Sequence, residues 1–212
     1  MSLLDAAPRE TALEDGGYVK GVAVAIVTQN KDDEGLCRVK VRFPWHEDAR
    51  ESYWARLSVP MAGDNRGLVL IPEVGDEVLV AFEREDLRFP FVLGALWNGK
   101  DKPPLANDDG KNDKRILQSR KKHYLLFDDG NTGVVELAHE KGRKVTIDDT
   151  GFVVQDENGN MVKVESSSGA MTIEANGQLT IKAATITIEA TTTFDLKSSG
   201  TMTIRGALVN IN

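Results

Sequence analysis

The sequence predicts an all-β protein in two parts: a small closed barrel, and behind it a needle of thin strand layers shared by three copies of the chain. Three observations predict it. Nine apolar-polar-apolar units recur between Val145 and Ile211 at a mean spacing of about eight residues. Six shorter alternating runs lie between Val22 and Leu96, separated by turn-forming residues. Proline, which removes a ladder donor, does not occur after Pro104. Alternation marks a strand with one buried face, and a fixed period across a long tract marks a stacked repeat.

Residues 1–16 are acidic, contain Pro8 and show weak periodicity, so they read as a tail that orders only against a partner. Residues 17–100 read as the barrel. Its expected strands are Val22–Val27, Arg38–Phe43, Trp54–Ser58, Leu68–Ile71, Glu77–Phe82 and Phe91–Leu96. Turns are expected at Asp32-Asp33-Glu34-Gly35, Ala62-Gly63-Asp64-Asn65 and Val74-Gly75-Asp76. Short strands at this spacing, with few helix candidates, indicate a closed barrel. Residues 101–114, with Pro103-Pro104 and Asp108-Asp109-Gly110, have the composition of a linker. The needle then occupies 115–212. Leu125/Phe127 and Val135/Leu137, on either side of Asp128-Asp129-Gly130, read as longer strands or hairpins leading into the regular repeat.

The inward pairs of the repeat are Val145/Ile147, Phe152/Val154, Val162/Val164, Met171/Ile173, Leu179/Ile181, Ile186/Ile188, Phe194/Leu196, Met202/Ile204 and Val209/Ile211. Two inward side chains are worth roughly 3–6 kcal/mol, whereas ordering about eight residues of backbone costs roughly 8–16 kcal/mol. No unit can stand alone. A single-chain solenoid would use about 24 residues per coil and leave fewer than three coils with open ends. A three-chain prism, with one strand per level from each chain, covers every edge and brings the pairs together on one axis, so it is the preferred arrangement. Val145 through Ile204 of these pairs form the expected trimer core. Nine levels at about 4.8 Å make a shaft of roughly 43 Å. Threonines at polar positions, such as Thr172, Thr180, Thr187 and Thr203, favour extended backbone on the outside.

Composition excludes several functions. The 212 residues are 41% hydrophobic and 28% charged, and no signal segment or apolar run of membrane-spanning length is visible. The single cysteine, Cys37, rules out an internal disulfide and a multi-cysteine metal site. Net charge is −7, with each part mildly acidic, which opposes nucleic-acid binding. Arg120, Lys121 and Lys122 are the one basic cluster, and with Asp128 and Asp129 close behind they read as a solvated hairpin.

Glycoside hydrolysis needs two carboxylates across a cleft, whereas the acids here sit in turns such as Asp148-Asp149 and Asp156-Glu157. A calcium loop at Asn30, Asp32, Glu34 and Gly35 fails because Val41 stands where a bidentate Glu is required. Ser166-Ser167-Ser168 and Ser198-Ser199 lack elbow glycines and a nearby histidine. His46-Glu47-Asp48 reads as a solvated loop. No catalytic, cofactor or metal site is expected.

A specific set of motifs remains: Gly35-x-x-Arg38-Val39-Lys40-Val41-x-Phe43-Pro44-Trp45, Tyr53-Trp54-Ala55-Arg56, Pro60-Met61-Ala62-Gly63 with Gly67, Pro72-Glu73-Val74-Gly75-Asp76-Glu77-Val78-Leu79-Val80-x-Phe82 and Val92-Leu93-Gly94-Ala95-Leu96-Trp97-Asn98. Over residues 17–104 these resemble the barrel domain of VgrG and phage baseplate-assembly (protein V-like) spikes. The tract from about 115 looks like the trimeric β-helix that follows that barrel. The resemblance implies an OB-fold barrel followed by a trimeric triple-stranded β-helix needle. It also implies a place in a contractile injection apparatus of phage tail-like, type VI or extracellular kind. Such a homotrimer is assembled in the bacterial cytoplasm as part of the contractile particle and punctures a target cell envelope.

The departures from the family pattern matter too. Only 16 residues precede the barrel where full VgrG chains carry a large hub region, so a separate hub protein is expected above it. The linker is too short for the lysozyme domain of some phage spikes, and no histidine lies near the C-terminus for a His-x-His metal tip. Leu208, Val209, Asn210, Ile211 and Asn212 therefore resemble a blunt end capped by a separate PAAR-type tip protein. The competing reading is an OB-fold nucleic-acid module with Phe43, Trp45, Tyr53 and Trp54 as stacking platforms. A third reading, an envelope-degrading enzyme, predicts peptidoglycan-clearing activity.

Overall fold

The computed structural model describes residues 19–46 and 51–211. The expected tail at 1–16, Glu47 and Asp48 of the histidine-containing cluster, and Asn212 of the expected tip surface lie outside the described residues. Fourteen strands and a 3-10 turn at Glu83–Glu85 make up the regular structure among them. The fold is all-β. The chain divides into two compact units on either side of Asp108 and Asp109.

The first unit contains β1 (Val22–Gln29), β2 (Lys40–Arg42), β3 (Arg56–Leu57), a hairpin of β4 (Ala62–Gly63) and β5 (Arg66–Gly67), β6 (Glu77–Phe82) and β7 (Pro90–Leu96). Its main sheet runs β2-β1-β6-β7-β3, antiparallel except where β3 meets β7. The Val39 and Ala55 amides each donate to the other's carbonyl, at 3.0 and 2.7 Å, so the sheet curls until its two outer strands meet. Alternation decides what is inside. Ala23, Ala25 and Val27 of β1 and Val78, Val80 and Phe82 of β6 share one core with Val39, Val41, Phe43, Ala55 and Val92. Each fully buried valine is worth about 1.5–3 kcal/mol, and the three alanines keep the interior narrow.

One expected strand is absent. Leu68–Ile71 forms no strand: the Leu68 amide donates to the Met61 carbonyl at 3.0 Å beside the β4–β5 hairpin, and Leu68, Val69 and Leu70 are exposed. The β4–β5 hairpin takes the ladder at this point and ends at Gly67, after which only Ile71 packs against the core. Apolarity alone had marked this segment, and it carries no turn chemistry that would hold it in a sheet.

The second unit is a meander of seven five-residue strands: β8 (Lys114–Gln118), β9 (Tyr124–Asp128), β10 (Val134–Ala138), β11 (Lys144–Asp148), β12 (Gly151–Gln155), β13 (Met161–Glu165) and β14 (Ala170–Glu174). Every neighbour in sequence is an antiparallel neighbour in the sheet. Aspartates make three of the six reversals. Asp128 Oδ1 accepts from the Gly130 amide, Asp148 Oδ1 from Thr150 and Gly151, and Asp156 Oδ1 from Asn158 and Asn160. A short side-chain acceptor that bonds an amide a few residues on fixes a tight turn. The turn acids are therefore structural parts of this sheet.

Among the described residues beyond Glu174 no strand forms. The repeat expected to be uniform from 145 to 211 is thus divided. Its first four units are hairpin strands whose ladder is made inside one chain. The last five units find no ladder at home.

Candidate functional surface

Register decides which residues share a face. Val145 opposes Leu137 and Val154, and Ile147 opposes Val135 and Phe152. Phe152 opposes Val164, Val154 opposes Val162, and the latter two valines oppose Met171 and Ile173 in turn. Residues directly opposite in an antiparallel sheet project to the same side. Leu125 and Phe127, which oppose Leu137 and Val135, continue that side, as does Leu117 opposite Leu125. Seven strands therefore present one apolar face, interrupted on β8 by Arg115 opposite Phe127, and all eight expected core residues of β11–β14 lie on it.

In the chain by itself this face is uncovered. Leu117, Leu137, Ile147, Met171 and Ile173 are 54, 58, 52, 63 and 56% exposed. Contiguous apolar surface on this scale marks an interaction site. The other eight expected core residues, Leu179, Ile181, Ile186, Ile188, Phe194, Leu196, Met202 and Ile204, lie in the segment without a ladder and are exposed as well. So are Leu208, Val209, Asn210 and Ile211.

The opposite face is mixed, with Ile116, Leu126 and Val153 beside an internally bonded polar group. The Tyr124 hydroxyl donates to the Glu136 carboxylate, which also accepts from Lys144 Nζ and Thr146 Oγ1, both at 3.0 Å. Burial pushes the Glu136 carboxyl up, but the bonds from Tyr124, Lys144 and Thr146 outweigh it and hold it below its ordinary value. The same carboxylate raises the Tyr124 phenol. Glu136 is spent as an acceptor, so it is not a free base. Nothing in the sequence singles it out except its polar place between Val135 and Leu137, and only the register brings its partners to it.

Among the described residues one group has the makings of a metal site: His123, His139 and Glu140. The two imidazoles lie 4.3 Å apart. His123 Nδ1 accepts from the Glu140 amide and His139 Nδ1 from the Lys141 amide, each at 3.2 Å. A neutral imidazole whose Nδ1 is an acceptor carries its proton on Nε2, so both outer nitrogens are donors and do not fit a cation. The neighbouring Arg120, Lys121 and Lys122 disfavour one further.

In the barrel, the Asp32 carboxylate accepts from the amides of Glu34, Leu36 and Arg38 and is gripped by the Arg38 guanidinium at 2.8 and 2.9 Å. Arg38 stands where a calcium ion would have to, and it holds the Asp32 carboxyl well below the usual carboxylate range. Of the four aromatic side chains considered as stacking platforms, Phe43 is buried in the core. Trp54 is covered by Arg38 and Lys40, at 5.6 and 5.2 Å from its ring. Trp45 and Tyr53 are exposed.

Residues 23–97 match the family described as the type VI secretion system/phage-baseplate injector OB domain. Over 109 residues the chain is 31% identical to the actin cross-linking toxin VgrG1 of Vibrio cholerae, a match covering 48% of this chain and 10% of that protein. Over the same length it is 33% identical to the type VI secretion system spike protein VgrG3 of Vibrio cholerae, covering 48% and 11%. The spike protein VgrG1c of Pseudomonas aeruginosa is 36% identical over 94 residues, covering 41% and 13%. The chain spans about a tenth of the length of the curated relatives it matches.

Proposed function

We propose that this chain, whose barrel is an injector OB domain of the type VI and phage-baseplate kind, is one third of a cell-puncturing spike in a contractile injection apparatus. Three copies bury the apolar face of residues 114–174 and the apolar pairs of residues 175–211 around one axis. The observation that carries this reading is the uncovered apolar face, continued by five apolar pairs that have no ladder within the chain.

Up to Glu174, each chain would supply a whole sheet and turn its apolar face to the axis. Beyond it, strand edges would be satisfied only by the other two copies, one strand per level, as a triple-stranded β-helix. Such a shaft resists bending because its hydrogen bonds must break together. It would transmit the thrust of a contracting sheath to the target envelope, with the barrels meeting a hub protein. Leu208, Val209, Asn210 and Ile211, together with Asn212, would seat a PAAR-type tip protein, and assembly would take place in the bacterial cytoplasm within the contractile particle. The role is mechanical, so the purified protein is expected to clear no peptidoglycan and to shift no single-stranded DNA. The decisive measurement is mass by light scattering during size exclusion: three times the chain's 23.2 kDa is expected, and the mass of one chain overturns the reading.

A further inference from the structure

We infer that the three sheets of the spike lock edge to edge by charge, the basic turns at 119–123 and 139–143 of one copy seating against the acidic turns at the facing edge of the next. This rests on the three-chain reading above and adds how the chains recognise one another. The meander sends alternate turns to opposite edges of the sheet. One edge carries the turns at 119–123, 139–143 and 156–160; the first two hold Arg120, Lys121, Lys122, Lys141 and Arg143 against Glu140, and the third holds Asp156 and Glu157, of which Glu157 takes up Arg143. The other carries the approach to β8 and the turns at 129–133 and 149–150, with Asp113, Asp128, Asp129, Asp148 and Asp149. Lys114 and Arg115 are the cations near that edge, and they are taken up by Asp128 and Asp129. Lys121, Lys122 and Lys141 make no ion pair among the described residues, and neither do Asp113 and Asp149.

Three-fold symmetry fixes what these charges meet. A rotation that keeps every apolar face toward the axis places the 119–123 edge of one sheet at the same corner as the 129–133 edge of its neighbour, never like against like. The levels also interleave. The turn at 119–123 joins the first and second strand levels and falls between Asp113 at the first and Asp129 beyond the second. The turn at 139–143 joins the third and fourth, between Asp129 and Asp149. The offset is about one strand spacing, roughly 4.8 Å. A copy inserted upside down with its apolar face still inward would exchange its edges and reverse its levels, setting its Asp149 between Asp129 and Asp149 of a neighbour. The apolar face alone does not distinguish the two directions, so the charges select three parallel chains in one register.

The test uses the full chain in three forms: Lys121→Glu with Lys122→Glu and Lys141→Glu; Asp113→Lys with Asp149→Lys; and all five together. None of the five side chains makes an ion pair among the described residues, and barrel tryptophan fluorescence reports folding independently of assembly. Each protein is refolded from denaturant at low salt and near 1 M salt, and trimer formation is followed by light scattering. Each single-edge form should assemble about tenfold more slowly at low salt, with the difference fading at high salt, where screening reaches within about 3 Å. The five-fold form should return to within about twofold of the unaltered chain. An equal mixture of the two single-edge forms should recover less, since matched edges cannot alternate around a ring of three. Single-edge forms that assemble at the unaltered rate, or a five-fold form as slow as either, overturn the inference while leaving the trimer intact. An unaltered chain that stays single overturns the three-chain reading and this inference with it.

Discussion

At the scale of single residues, two positions show how little sequence it takes to hold a turn. Asp32 gathers three amides and a guanidinium, and the Arg38 bond above all lowers its pKa. Because the folded-state value is depressed below the ordinary 3.8, the contribution to stability is complete above that pH and is lost as pH falls through the depressed value. Asp32→Asn should therefore remove an acid-dependent part of barrel stability below about pH 4, leaving a flatter acid limb in tryptophan-detected denaturation. An unchanged limb would place the acid sensitivity elsewhere. Gly151 is buried at φ +148, and a Cβ there would overlap the Val164 carbonyl oxygen. Gly151→Ala should cost about 1–3 kcal/mol in the second unit and leave barrel fluorescence untouched, since Trp45, Trp54 and Trp97 all belong to the first.

At the scale of elements, the barrel's long strands were legible because alternation and turn residues agreed, as in Ala23, Ala25 and Val27 bounded by Gly21 and the Asp32 loop. Leu68–Ile71 misled because its residues are apolar without a turn to hold them in a ladder. The apolar face of β11–β14 was legible pair by pair. Its continuation to Leu117 was not, because one leucine shows no period and joins the face only through its register with Leu125. The division at Glu174 was hidden for a deeper reason: a spacing of eight says that a strand recurs, not whose strand lies beside it. The turn residues do not mark it either: Gly142, Gly151, Gly159 and Gly169 take positive φ where the meander reverses, but Gly177, Gly200 and Gly206 stand between the unpaired units as well. For the unpaired units the expected register is testable. Ile188→Asp would put three like charges on the axis and should abolish the trimer, because buried unpaired charge costs several kcal/mol per ion. Thr187→Asp, one residue away on the outward side, should assemble normally. A soluble trimer from Ile188→Asp would show the inward positions to be misassigned.

At the scale of the molecule, the two segments of the second unit differ in where their backbone hydrogen bonds can go. Residues 114–174 satisfy their ladder within one chain, while residues 175–211 have apolar pairs in extended, exposed backbone with no strand partner. Backbone amides without partners exchange with solvent freely, whereas those in a cooperative core open only with the free energy of the whole unit. Hydrogen exchange read by mass spectrometry therefore distinguishes the assembled spike from its subunit, segment by segment. In the assembled protein, amides across 175–211 should be protected by about a thousandfold or more, comparable to those of β9–β13. Under conditions that separate the chains without unfolding the meander, protection should vanish from 175–211 first and persist in the hairpins. Intact protein in which 175–211 exchanges at the rate of an unstructured peptide would mean that no neighbour supplies its ladder, and the needle would end where its own hairpins do.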